Sequence, residues 1–361
     1  MQFTGISLFT GAGGMDIGFK EAGIQTIAAN EMDKSAFATY KLNNKGIEYL
    51  EGDINNHLDD LIKYKAVDIV YGGPPCQGFS VAGKMDADDP RSQLVFSFAK
   101  AIENIKPRAF VMENVKALGK LNKFENVRQK LLSQFHDLGY DCKIVLLNAK
   151  DFGVPQSRER VFFIGIKNGE GIFHESLLDK YKEDAPTIRE TIVDLGPAGS
   201  KNNPLVCNAK ITMAKNPILR KSPYAGMMFN GQGRPINPDA WSTTLPASMG
   251  GNRTPIIDEK HLYDLQGSWV EVHHQSLIEN RKVETKIPSH LRRLTVDEAL
   301  LLQTFPADYK FVGSQSKVYS QIGNAVPIKL AKAVGSAVMV ALTHKDVLGY
   351  NCSHTNKRVY T

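Results

Sequence analysis

Ile6-Ser7-Leu8-Phe9-Thr10-Gly11-Ala12-Gly13-Gly14-Met15 runs from an apolar stretch through three glycines into an amphipathic pattern. That is how a buried strand turns tightly into a helix. Outward from it, short apolar runs alternate with helical periodicity: a helix near 15–22, a strand at 26–29, a helix near 34–42, a strand at 67–71 and a helix at about 93–105. A strand at 109–112, a helix at about 125–138 and strands near 143–147 and 161–166 follow. Alternation of this kind predicts an α/β, doubly wound and mostly parallel sheet over residues 1–185.

From about 186 to 290 the character changes. Glycines and prolines concentrate between 186 and 255 with no clear 3.6-residue period, which predicts a smaller, loop-rich second domain. Helical periodicity returns at 295–302, where Thr295 and Glu298 have capping-box spacing, and again at 328–342. A return segment at 291–345 should therefore complete the first domain, leaving 346–361 as a polar tail.

Composition narrows the classes. With 361 residues and 42% hydrophobic content the chain can bury a large core, which excludes a disordered protein. Lys plus Arg is 44 against 38 for Asp plus Glu, a net charge of +6 that favours a polyanionic partner. Cys76, Cys142, Cys207 and Cys352 lie far apart with no Cys-x-x-Cys pair, arguing against a zinc knuckle or a disulfide framework and for a reducing cytoplasm. No basic leader opens the sequence, and no stretch is expected to reach the ~18 apolar residues of a membrane span.

Four sets of residues carry candidate chemistry. Glu31 follows Gly11 by about 20 positions at the end of the second strand, where a carboxylate can accept both hydroxyls of a ribose. The glycines depart from Gly-x-Gly-x-x-Gly, which points to an adenosyl ligand without phosphates. Asp53, in Gly52-Asp53-Ile54, either takes an adenine amine or caps a helix before Asn55. In Gly72-Gly73-Pro74-Pro75-Cys76-Gln77-Gly78-Phe79-Ser80 the glycines release the chain from a strand and the prolines fix its path, so Cys76 is either a placed nucleophile or a buried thiol in a turn. Glu113, read as following the strand at 109–112, is either salt-bridged or used, and it could share a pocket with Cys76. Gln156, Arg158 and Arg160 alternate, so an extended backbone would put two guanidiniums on one face, suited to an anion or simply solvated on an edge strand.

In that order these runs resemble the cytosine-C5 DNA methyltransferase family, over nearly the whole chain except about 168–289. In the family's terms Phe9 to Gly14, with Phe9, Gly11, Gly13 and Gly14, looks like the S-adenosylmethionine glycine motif. Glu31 and Met32 resemble its ribose and adenine contacts, Asp53 and Ile54 its adenine-edge motif, and Cys76 its nucleophile. Pro74 beside it, Leu94 in Asp89-Pro90-Arg91-Ser92-Gln93-Leu94, and Asn324 and Ala325 in Gly323-Asn324-Ala325-Val326-Pro327 are implied on the cofactor side. Glu113-Asn114-Val115 resembles the base-polarising motif, Gln156 to Arg160 the Gln-x-Arg-x-Arg motif, and Arg292-Arg293-Leu294-Thr295 with Glu298, Gln303, Phe305 and Pro306 the motif that organises the recognition domain. Met32 departs from the aromatic or bulky apolar group common there.

The resemblance implies a chemistry. Cys76 adds to C6 of a cytosine, Glu113 and Arg158 meet charge developing on its ring, and C5 then takes a methyl group from S-adenosylmethionine. The base must leave the duplex to be reached, with the loop from about 78 to 89 as a lid. Gln77, Ser80, Arg234, Thr244 and Arg253 are the DNA-facing candidates; Asn230, Gln232 and Asn252 are also of base-pairing type. Double-stranded DNA is the implied partner of a metal-free monomer near the nucleoid, with a restriction endonuclease as functional companion rather than bound subunit. Three rivals stay open: a transfer-RNA methyltransferase of the same architecture, an inactive DNA-binding protein, and a nicotinamide oxidoreductase, which gives Cys76, Glu113 and Arg158 no joint role.

Overall fold

A computed structural model describes residues 2–65, 67–75, 93–265, 267–283 and 286–343. In chain order the first half contains β1 (Phe3–Leu8), α1 (Gly14–Glu21), β2 (Ile24–Glu31), α2 (Lys34–Asn43), β3 (Glu48–Glu51), β4 (Ile69–Gly72), α3 (Leu94–Ile105), β5 (Ala109–Val115), α4 (Lys116–Lys120), α5 (Glu125–Asp137), β6 (Tyr140–Asn148), β7 (Gln156–Ser157) and β8 (Glu159–Lys167). Seven of these strands form one sheet in the order β3-β2-β1-β4-β5-β8-β6. Pairings from β3 to β5 are parallel, whereas β8 runs antiparallel to both β5 and β6. A short connection from β6 to β8 explains the reversal, because only antiparallel neighbours can be joined without a crossover helix.

The sheet is buried on both faces. On one, Phe3, Ile24, Tyr71, Val111 and Phe162 pack against Phe19 of α1; on the other, Ile6, Leu8, Val70, Phe110 and Phe163 pack against Phe98 of α3 and Phe135 of α5. Runs such as Ala109-Phe110-Val111-Met112 are continuously apolar for that reason. Strand order reverses between β1 and β4, and ligands of such sheets bind beyond the carboxyl ends at that point. The two strand ends approach so closely there that a Cβ on Gly72 would collide with the Leu8 carbonyl.

The second half contains α6 (Ile188–Ile192), β9 (Met213–Ile218), β10 (Met227–Phe229), β11 (Ser242–Thr243), β12 (Ile256–Asp258), α7 (Glu259–Tyr263), α8 (Trp269–Ile278), β13 (Leu291–Arg293), α9 (Val296–Leu302), α10 (Gln315–Asn324) and α11 (Ile328–Thr343). The Thr295–Glu298 capping box forms at the start of α9 as its spacing predicts. A small core of Met228, Phe229, Ile256, Val270 and Leu291 lies wholly within the second half. Leu330, Val334 and Val338 of α11 return to the first core. Gly18 admits this helix against α1, since a Cβ there would sit 2.6 Å from the Ala331 side chain and the Ile328 carbonyl.

Three sequence expectations need correction. Glu113 does not follow its strand but lies inside it, because β5 continues to Val115 by pairing with Arg160 of β8. The helix α8 has no clear sequence signal: Val272 is 67% exposed while Val270 is buried, so apolar residues on both faces blur its period. Gln315–Thr343 does reach the length and apolarity of a membrane span. It is interrupted between α10 and α11 around Pro327, and 72% of its most apolar window is buried in the protein, as befits core helices.

Candidate active site

The glycine turn shows a division of labour that spacing alone does not reveal. Gly13 and Gly14 are small because of the protein: Cβ atoms there would lie 3.0 Å from the Tyr309 hydroxyl and 2.7 Å from the Val326 carbonyl. Gly11 has nothing within 4 Å of where its Cβ would be, so its openness faces a space the chain does not fill. Phe9 adopts φ 55°, a strained left-handed geometry for an aromatic residue that recurs at ligand sites.

Glu31 closes onto this turn. Its Oε2 accepts the Gly11 amide at 2.7 Å, and Oε1 accepts the amides of Met32 and Asp33, each at 2.7 Å. Burial nevertheless holds its carboxyl above the ordinary range. Met32 beside it is 60% exposed, a thioether surface left uncovered. Asn30, which the sequence reading did not single out, stitches the neighbouring loops together through Nδ2 bonds to the carbonyls of Leu50 (2.8 Å) and Gly52 (3.0 Å).

Asp53 caps the short turn after β3, its Oδ1 accepting the Asn55 amide at 2.9 Å, so the capping alternative is realised. Ile54 is buried behind it, and Leu94 is half-buried at the start of α3.

Cys76, Gln77 and Ser80 lie outside the described residues, as does the 78–89 loop. The approach to Cys76 is described. Pro74 is buried, and its carbonyl accepts Asn114 Nδ2 at 3.1 Å. A Cβ on Gly73 would lie 3.1 Å from Glu113 Oε2, so this carboxylate faces the turn leading to the thiol. Its other oxygen pairs with Arg160 Nε at 2.8 Å. Burial raises the Glu113 carboxyl, with the Arg160 and then the Arg158 charge pulling against it. A carboxyl so balanced can hold a proton for donation to a ligand atom.

The paired-arginine expectation fails for Arg158. Strand β7 ends at Ser157, and the Arg158 side chain turns into the protein, donating through Nη1 to the Leu245 carbonyl (3.2 Å) and through Nη2 to those of Gly323 (2.9 Å) and Ala325 (3.1 Å). It anchors loops, whereas Arg160 forms an ion pair with Glu113. Gln156 and Gln303 complete the anchor: Gln156 Oε1 accepts the Leu245 amide at 3.0 Å, and Gln303 Nε2 donates to the carbonyls of Ile322 and Ala325, each at 2.8 Å. Asn324 is exposed and Ala325 half-buried beside Gly14. Asn114 and Gln303 stood inside quoted motifs, but only tertiary contacts reveal what they hold.

Strand β11 pairs with β7, and the exposed Thr244 bonds the Ser157 carbonyl at 3.1 Å. Farther out, Arg234 and Arg253 are both exposed on loops joined by the Gly233 amide to Asn252 carbonyl bond, 3.1 Å. Gln232, also exposed, adopts φ 68°. Asn230 is instead consumed internally, its Oδ1 accepting from Arg293 Nη2 and from the Thr212 amide, both at 3.1 Å.

Fold and site together define a class in which a glycine turn at the reversal of strand order lies on the same sheet as a buried acid paired with an arginine. Residues 3–339 match the sequence profile of the C-5 cytosine-specific DNA methylases, and the chain belongs to that family. It is 35% identical over 355 residues to the type II methyltransferase M1.HphI of Haemophilus parahaemolyticus, covering 96% of this chain and 89% of that one. With M.NgoPII of Neisseria gonorrhoeae the identity is 32% over 348 residues, covering 93% and 95%. The fold is similar to that of S. pombe Dnmt2 methyltransferase (TM-score 0.63, 18% identity, 96% of this chain and 99% of that one) and of Spodoptera frugiperda DNMT2 (TM-score 0.66, 19% identity, 93% and 99%).

Proposed function

We propose that this protein is a sequence-specific DNA (cytosine-5-)-methyltransferase that marks DNA in the cytoplasm, as the partner of a restriction activity. The observation that carries the reading is Glu113, a buried acid paired to Arg160 and facing the Gly73-Pro74-Pro75 turn that delivers Cys76. Cys76 adds as thiolate to C6 of a flipped-out cytosine, forming the S–C bond. Negative charge then spreads toward N3 and O2, where the Glu113 proton and the Arg160 guanidinium would stabilise it. Bound S-adenosylmethionine supplies an electrophilic methyl group. Loss of the C5 proton to a base and β-elimination release Cys76 and 5-methylcytosine.

For the cofactor, the open face of Gly11 admits the ligand backbone-close, Glu31 would accept ribose hydroxyls, and exposed Met32 would pack on adenine. Phe9, Asp53, Ile54, Pro74, Leu94, Asn324 and Ala325 form the surrounding wall in this reading. Glu31→Ala should weaken S-adenosylmethionine binding by about 10-fold to 100-fold, a loss of ~1.4–3 kcal/mol. Duplex binding should change little. Calorimetric titration of the two ligands separately checks this, and equal losses for both would discard the assignment.

Residues 186–290 would read the sequence, and either Arg234 or Arg253 would contact guanine. Alanine at the reading arginine should cost about 1–3 kcal/mol of discrimination at a single base position. If both variants instead weaken binding evenly across sequences with a shallower salt slope, the arginines touch only phosphates. Bisulfite sequencing of a plasmid methylated in vitro tests the function itself: 5-methylcytosine in one short sequence context is expected. Methylation of transfer RNA but not of duplex DNA would overturn it.

A further inference from the structure

Beneath the glycine turn lies a carboxylate that the proposed chemistry does not use. Asp16, in the first turn of α1, is 2% exposed. Its Oδ1 accepts the hydroxyls of Tyr40 (2.9 Å) and Tyr71 (3.0 Å), and its Oδ2 that of Ser7 (2.9 Å). Tyr71 is in turn 2.5 Å from the Thr26 hydroxyl. The Asp16 partners come from β1, α2 and β4, and Thr26 adds β2 behind Tyr71. Tyr309, from the segment before α10, completes the surroundings: it bonds the Ala12 carbonyl, and burial together with the Asp16 charge keeps its hydroxyl protonated. None of these groups is a cation.

We propose that Asp16 is a positioning residue for the cofactor turn: its three hydroxyl partners anchor the first turn of α1, and with it the Gly11–Gly14 backbone that leads into that helix, in an arrangement that depends on whether Asp16 carries a proton. Ionised, Asp16 accepts all three bonds, and the hydroxyls of Ser7, Tyr40 and Tyr71 must all point inward. Protonated, one oxygen becomes a donor whose partner must turn its hydroxyl to accept, the three bonds lose the assistance of the carboxylate charge, and the clamp on α1 loosens. The proposal rests on the cofactor occupying the Gly11 face.

Burial pushes the Asp16 carboxyl up to about 6, against the lowering effect of its hydroxyl partners. Because this lies above the unfolded value, the folded chain holds the proton more tightly between the ordinary carboxylate range and about 6, and ionisation opposes folding across that window. A clamp best for the cofactor is thus costly to the fold. Linkage requires that if cofactor binds the ionised form better, binding drives a proton off Asp16.

Asp16→Asn is a close mimic of the protonated state, since an amide oxygen can accept both tyrosines while the amide nitrogen donates to Ser7. In the full-length protein the ratio of variant to wild-type dissociation constants for S-adenosylmethionine should rise from near one below pH 5 to about tenfold above pH 7. Glu31 also titrates high, so the ratio, not the wild-type profile, is the readout. Calorimetry in buffers of different ionisation enthalpy should show proton release on binding near pH 6 in wild type and less in Asp16→Asn. Tyr71→Phe, which keeps the ring but removes one hydroxyl, should move the midpoint upward, and it supplies the test if the Asn variant does not fold. A flat ratio with unchanged proton release would overturn the proposal. Cofactor binding that is also indifferent to Glu31→Ala would instead sink the cofactor site itself.

Discussion

A duplex carrying 5-fluorocytosine at the target position should capture the enzyme as a denaturant-stable complex when S-adenosylmethionine is present. Fluorine cannot leave as a cation, so β-elimination stops after methyl transfer and the S–C6 bond persists. Peptide mapping should place the adduct on Cys76. Among the described residues the competing thiols are poorly suited: Cys207 is buried, and burial pushes the Cys142 thiol well above its usual range. Cys76→Ala should abolish the adduct and lower methylation on the order of 10⁴-fold or more, leaving specific DNA binding largely intact. Efficient methylation by that variant, or an adduct that survives it, would remove Cys76 from the mechanism.

Glu113→Gln is expected to slow single-turnover methylation by about 10²-fold to 10³-fold, because an amide cannot deliver the proton that neutralises charge at N3. The sign of the pH effect follows from burial. Since Glu113 is held above the ordinary carboxylate range, its acid form survives to higher pH and is lost as pH rises through the folded value, so the wild-type rate should fall on that alkaline side. The Gln variant should lack this limb. Arg160→Leu removes the foremost charge favouring ionisation, so the limb should move to higher pH even as the rate drops. An unshifted limb would show that another group titrates.

These two experiments also separate a catalyst from a protein that only binds DNA. A nicotinamide enzyme on the same sheet would show neither fluorocytosine capture nor dependence on Glu113.

What the sequence determined by itself is the part governed by short-range rules. Apolar runs alternating with helical periods define the α/β sheet through β5, and the Thr295–Glu298 spacing defines the start of α9, because periodicity and capping are local. The Phe9–Gly14 turn, Glu31 and the Gly72–Pro75 exit were likewise legible, since strand ends announce themselves by glycine and proline. The tertiary structure decided how long-range partners divide. Alternation could not distinguish Arg158 from Arg160, yet one bonds carbonyls of Leu245, Gly323 and Ala325 from the distant half of the chain and the other pairs with Glu113 on a neighbouring strand. Nor could it reveal that Gly13 and Gly14 are small for Tyr309 and Val326 while Gly11 faces open space, or that Asp16 gathers hydroxyls from three separate elements. A side chain's role depends on which groups the fold brings within hydrogen-bonding distance, and in a doubly wound sheet those groups lie dozens to hundreds of residues away.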